Sequence, residues 1–126
     1  MTKHRIALSA VIAAAGLGAP SATVMAQSNA TTEANCQIQE IAVYSDRVHV
    51  KCATNPTGAL TGGPVIAYFA LATSSPMAAP FIEMATAAKA GNRTLGVTFR
   101  YNGAAQNPAG CQPNDCRGVV SARIVY

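Results

Sequence analysis

Cys36, Cys52, Cys111 and Cys116 are the residues of this chain best equipped for chemistry, and their spacing favours disulfides over a metal. The intervals read C-x15-C and C-x4-C, with no C-x2-C pair of the kind that opens a zinc site. Four cysteines allow three connectivities. The expected pairs are Cys36–Cys52 and Cys111–Cys116, because each is local. Beyond position 26, His49 is the single histidine, so no second imidazole is on offer for a metal. It falls on a strand-like stretch, opposite Val48 and Val50, and reads as a surface histidine, since catalysis needs a converging set of groups. No serine lies in a Gly-x-Ser-x-Gly elbow. Glu40, Asp46, Glu83 and Asp115 are the carboxylates of the folded part, with Glu33 ahead of them. Asp46 and Asp115 fall in turns, where a carboxylate commonly bonds nearby backbone. A hydrolase built on Glu40 and Asp46 is the weakest of three readings. No catalytic residue, metal or cofactor is expected.

The compartment follows from the N-terminus. Met1–Arg5 carries two positive charges, residues 6–19 are apolar or small, and Val24-Met25-Ala26 offers a small-residue cleavage site. That order of regions predicts a secretory signal peptide over residues 1–26. A membrane anchor would need about 20 apolar residues, and Gly16, Gly18 and Pro20 interrupt this run. The expectation is an exported protein, periplasmic or secreted, with no membrane span after cleavage. Losing Lys3 and Arg5 leaves seven basic residues against five acids, a formal charge of +2. The remaining cations are scattered, whereas nucleic-acid binding wants a basic stripe, so that class is set aside.

The elements that must position these residues are short. Residues 27–35 are small and polar and read as a flexible N-terminus, ahead of one domain over 36–126. Ile38–Tyr44 and Arg47–Cys52 flank Ser45-Asp46 and predict a hairpin, with Ile41, Val43, Val48, Val50 and Cys52 on one face. Cys36 and Ile38 are out of phase with Ile41 and Val43. A bulge near Gln39-Glu40 would restore the face and bring Cys36 nearer Cys52. Ala53–Pro64 reads as a loop and Val65–Thr73 as a buried strand. Ala79–Ala90 is the predicted helix, with Phe81, Met84, Ala85 and Ala88 in one stripe and Gly91 as a left-handed stop. Thr94–Tyr101 alternates as a strand. Val119–Tyr126 is the last strand, with Val120, Ala122, Ile124 and Tyr126 on one side. The order β-β-β-α-β-β, mainly β with one helix and two disulfides, predicts an OB-fold-like five-stranded barrel. An α+β sandwich is the runner-up.

With chemistry set aside, a binding module remains. Tyr44, Arg47, Tyr68, Arg100, Tyr101 and Asn102 are the polar and aromatic residues near strand ends. Tyrosine and arginine are favoured contact residues. Arg47, Tyr101 and Asn102 are the expected ligand-binding residues. The competing reading of any one tyrosine is that it finishes the core with its hydroxyl at the rim.

Phe81 with Ala85, Ala88 and Gly91, then LGVTFRY at 95–101 and Cys111-x4-Cys116-Arg117-Gly118, resembles the B subunits of subtilase cytotoxin and its typhoid-toxin-like relatives. The resemblance covers residues 81–118. It implies an exported OB-fold, a pentameric ring, glycan binding, and an enzymatic A subunit carried on that ring. Tyr101 matches the tyrosine of that family's sugar site. The position of its serine falls near Asn35–Gln37, where no serine stands. The leading expectation is thus a non-catalytic recognition domain for a glycan or protein partner, a homo-oligomer and specifically a pentamer if it is toxin-B-like. The alternative is a freestanding periplasmic structural or inhibitory domain.

Overall fold

The structure, a computed structural model, describes residues 30–54 and 64–126. The expected signal peptide and most of the expected loop over Ala53–Pro64 lie outside the described residues. Among the described residues, six strands form one sheet with a single α-helix: β1 (Thr32–Cys36), β2 (Ile38–Val43), β3 (Arg47–Cys52), β4 (Tyr68–Ala72), α1 (Ala78–Ala90), β5 (Thr94–Phe99) and β6 (Cys116–Val125). The order across the sheet is β1-β5-β6-β4-β3-β2. All pairs are antiparallel except β4 with β6, which run parallel from Tyr68 opposite Cys116.

The two outermost strands are consecutive in the chain, with Gln37 alone between them. Strands in a flat sheet are about 4.8 Å apart, which would hold the outermost two of six about 24 Å from each other. Here Cys36 on β1 is bonded to Cys52 on β3, with their Cα atoms 5.1 Å apart. The sheet is therefore strongly curled, although no backbone ladder joins its two ends. Closing a loop of this length contributes about 3 kcal/mol by the chain-entropy argument.

β1 corrects the later part of the expected flexible stretch over residues 27–35, of which residues 27–29 lie outside the described residues. Thr32–Cys36 pairs with β5 from Thr32 opposite Phe99 to Cys36 opposite Leu95, and buries Ala34 and Cys36. Its inward residues are small, so no hydrophobic period announces it. In the hairpin, Ile41 faces Val50 and Val43 faces Val48, with the register shift between Ile38 and Glu40. The expected bulge is present. Val43 is largely exposed at the hairpin end, while Val48, Val50 and Cys52 are buried.

The core lies between the curled sheet and α1. Phe69 and Phe99 meet at 5.0 Å between ring centroids, among Val50, Ile66, Leu95 and Val97, all fully buried. Burying each such side chain is worth roughly 1.5–3 kcal/mol. The helix contributes Ala78, Phe81, Ala85 and Ala88, three alanines that allow close approach. Lys89 Nζ donates to the Gln39 carbonyl at 2.8 Å and ties the last turn to β2. Gly91 follows the helix with φ −85°; the left-handed residue is Asn92 at φ 50°, which corrects the expected cap.

A second register shift, where Thr98 pairs with Ser121 but Phe99 with Val119, resets β6. Val119 enters the core, Ala122 and Ile124 pack against it, and Val120 does not. Tyr126 is 93% exposed, with the Arg93 guanidinium 4.5 Å above its ring. The single inward phase expected for Val120–Tyr126 is thus broken by this bulge. Cys111–Cys116 closes the loop before β6. No helix among the described residues is long and apolar enough to cross a membrane.

Candidate functional site

The side of β3 that carries His49 is not solvent-facing. His49 stands opposite Ala42 on β2 and Ala70 on β4. Tyr44, just past β2, and Tyr68, the first residue of β4, flank it with ring centroids 5.2 Å away on each side. Its Nε2 lies 3.1 Å from Glu40 Oε1. The result is a histidine only 7% exposed, which corrects the surface reading. Alternation along β3 places it away from Val48 and Val50 as expected. Its cover comes from residues distant in sequence.

The rim above it is built by two loops. The β2–β3 turn, closed by Tyr44 N donating to the Arg47 carbonyl at 2.7 Å, sets Arg47 at the start of β3. The Arg47 guanidinium lies 4.1 Å over the Tyr44 ring and 3.2 Å from Asp46. It also crosses Gly110, whose φ of +79° and missing Cβ leave room for it; any Cβ there would collide with Nη1. The disulfide loop supplies Gln112 and Asp115. The Asp115 carbonyl accepts from Ala67 N at 2.9 Å and Tyr68 N at 3.0 Å, which fixes its backbone at the entry to β4. Behind the loop, Ala70, Cys111 and Cys116 form a small buried cluster with Tyr68.

These groups enclose an open cleft of about 250 Å³. Tyr44, Tyr68, Gln112 and Asp115 all line it, and none of the four makes a side-chain hydrogen bond among the described residues. Tyr44 and Gln112 are exposed and Tyr68 and Asp115 half-buried, so their polar groups stay open to whatever enters the cleft. A concave site where uncommitted polar groups meet aromatic faces is therefore the default place for a ligand. The walls offer acceptors at Asp115 and Glu40, donors at Arg47 and Gln112, and apolar ring surface at the tyrosines.

Arg47 is the expected binding residue that this cleft contains. Tyr101 and Asn102 do not line it. Tyr101 packs against the core, and its hydroxyl donates to the Pro64 carbonyl at 2.9 Å. Asn102 is exposed. Nor is Asp46 a lining residue alongside Glu40, since its carboxylate holds Arg47. Arg100 lines a separate cavity of about 80 Å³ near Gly103 and Gly118, where its Nε is buried without a partner.

The contrasting cation is Arg117, 4% exposed. It donates to the carbonyls of Tyr101, Pro113 and Cys116, each at 2.6 Å. Burial pushes its pKa down from the ordinary arginine value, and the charge of nearby Tyr101 opposes that. Asn107 completes this region: its Nδ2 donates to the carbonyls of Cys111 and Cys116, and its Oδ1 accepts from Gly118 N. Among the described residues, no group of three or more His, Cys, Asp or Glu side chains could hold a metal.

Sequence reasoning picked out Tyr44, Arg47 and Tyr68 as strand-end contact residues. It missed the role of His49 and the rim residues Gln112 and Asp115. Comparison with known proteins returns no matching family, no matching curated protein and no matching solved structure.

Proposed function

We propose that this chain is a small exported recognition domain that binds a glycan in the Tyr44–His49–Tyr68 cleft. The observation that carries it is that Tyr44, Tyr68, Gln112 and Asp115, four side chains without hydrogen bonds among the described residues, line one cleft. A sugar presents apolar C–H faces and a rim of hydroxyls, which are the complements of the tyrosine rings and of these polar side chains. The cleft volume of about 250 Å³ sits just under the roughly 300–1,000 Å³ of pockets for drug-sized ligands. That suits one ring of a sugar better than a protein surface.

The fold that presents the cleft is read as an OB-fold-like barrel. In it, β1 and β2 are two halves of one strand bent at Gln37, giving five strands with the helix between the third and fourth. The parallel β4–β6 pair and the curl that brings Cys36 to Cys52 support that reading. The likeness to toxin B subunits adds a pentameric ring carrying an A subunit. Light scattering on the oxidised chain tests that arm separately: a mass near five chains supports it, and a monomer removes it. Two disulfides suit the oxidising compartments that export reaches.

The test of glycan binding is an array of immobilised oligosaccharides probed with the oxidised chain, then with Tyr44→Ala and Tyr68→Ala. Expected is binding to a subset of glycans that both variants lose by about tenfold or more, as central aromatic contacts do elsewhere. Binding that survives both substitutions, or an array without hits, would sink the assignment.

A further inference from the structure

We infer that the cleft selects neutral pyranosides and rejects acidic sugars; this rests on the glycan-binding reading above. The argument is the charge inventory of the site. Arg47 is the lining residue with a permanent positive charge, and it is already answered by Asp46 at 3.2 Å and stacked on Tyr44. His49 and Glu40 face each other at 3.1 Å. Lys51 lies outside the lining, with its ammonium 5.7 Å from the Tyr68 ring centroid. Asp115 lines the cleft, and its carboxylate has no ion-pair or hydrogen-bond partner among the described residues.

An incoming carboxylate would therefore meet one answered cation and one unanswered anion. A hydroxyl can donate to Asp115, whereas an ionised carboxylate has nothing to donate. Rejection through an unpaired like charge is a common route to specificity. The placement of Asp115 strengthens the case. Its carbonyl is held by two backbone donors and its neighbour Cys116 by a disulfide, so this part of the loop is anchored before the ligand arrives. Preorganised groups lose less freedom on binding and discriminate better. Tyr44, His49 and Tyr68 stand in a row with 5.2 Å between successive centroids, but their planes are inclined by 53° and 65°, so a sugar's C–H face would rest on a single tyrosine ring.

The experiment is an NMR titration of the oxidised chain, following the ring signals of Tyr44, His49 and Tyr68. The probes are lactose and N,N′-diacetylchitobiose, against 3′-sialyllactose and digalacturonic acid. Expected are neutral sugars binding at least about tenfold tighter than acidic ones, a ratio that Asp115→Asn narrows to about threefold by admitting the acidic probes. The wild-type ratio alone decides the matter if the variant fails to fold. Acidic probes that bind equally well or better, with shifts on those rings, overturn the selectivity and leave glycan binding intact. Tighter binding of glucosamine than of N-acetylglucosamine also overturns it, making the site one for cations. If no sugar moves those rings, the glycan reading falls and the selectivity falls with it.

Discussion

Two regions of this small molecule are rich in polar side chains and use them in opposite ways. Around Arg117 and Asn107, the donors and acceptors named above are turned inward onto backbone: Tyr101, Pro113, Cys116, Cys111 and Gly118 are all held. Around His49, the inner pair with Glu40 is likewise committed, but Tyr44, Tyr68, Gln112 and Asp115 line the cleft without a side-chain hydrogen bond among the described residues. The first arrangement replaces secondary structure in a segment that is mostly loop. The second contributes little to that task, since those four lining side chains exchange no hydrogen bonds with the fold among the described residues. A polar cluster is evidence of a site only when its bonds remain to be made.

That contrast can be broken by substitution. The largest effect belongs to the committed region. Arg117→Met leaves the Tyr101 and Pro113 carbonyls without this donor, the Cys116 carbonyl keeping Asn107, and should cost on the order of 3 kcal/mol from the charged hydrogen bonds lost. A urea midpoint that barely moves would show that those carbonyls find water instead. Next comes Gly110→Ala, which meets both an unfavourable φ and the Arg47 guanidinium. The backbone strain alone predicts a loss of about 1–2 kcal/mol, and displacement of Arg47 predicts weakened sugar binding in the molecules that remain folded. Equal stability and equal binding would remove Arg47 from the site.

Tyr44→Ala sharpens the comparison from the other side. It removes a half-exposed ring that touches Arg47 and His49, so the stability loss should stay near 1 kcal/mol. Binding in the glycan array is expected to collapse. A variant that is much less stable than this would class Tyr44 with the framework. The smallest effect is expected for Asn102→Ala, an exposed position away from the cleft, with a change within about 0.5 kcal/mol and undiminished binding. Lost binding there would shift the site toward the Tyr101–Asn102 edge.

The sequence made local structure legible wherever a period was carried by large residues. Phe81, Ala85 and Ala88 marked the helix face. The phase slip between Cys36-x-Ile38 and Ile41-x-Val43 marked both the bulge and the first disulfide. β1 escaped because Ala34 is its one inward residue besides Cys36, and Thr32, Glu33 and Asn35 read as tail. The bulge opposite Thr98 and Phe99 was invisible because Val119 and Val120 are equally apolar, so either could have been the inward one. The cleft was legible only as scattered strand-end tyrosines. What makes it a cleft is the parallel β4–β6 pairing, which lays the 110–116 loop beside Tyr68. No local pattern encodes such a long-range pairing. His49 was misjudged for the same reason, its cover arriving from Tyr44, Tyr68 and Glu40.

The single-residue step at Gln37 also bears on how fast the molecule can be made. Once the hairpin of β2 and β3 has formed from neighbours in the chain, β1 is carried along as its short leading arm. That arm finds its own partner only when Thr94–Phe99 has been brought back from beyond the helix. The parallel pair needs a similar return, from Tyr68 to Cys116. Pairings so far apart in sequence slow the search for the native state, typically into the millisecond-to-second range for β-rich domains. Refolding of the reduced chain should be slower than that of a chain whose Cys36–Cys52 bond is kept, because that bond holds the leading arm at its corner before β5 arrives.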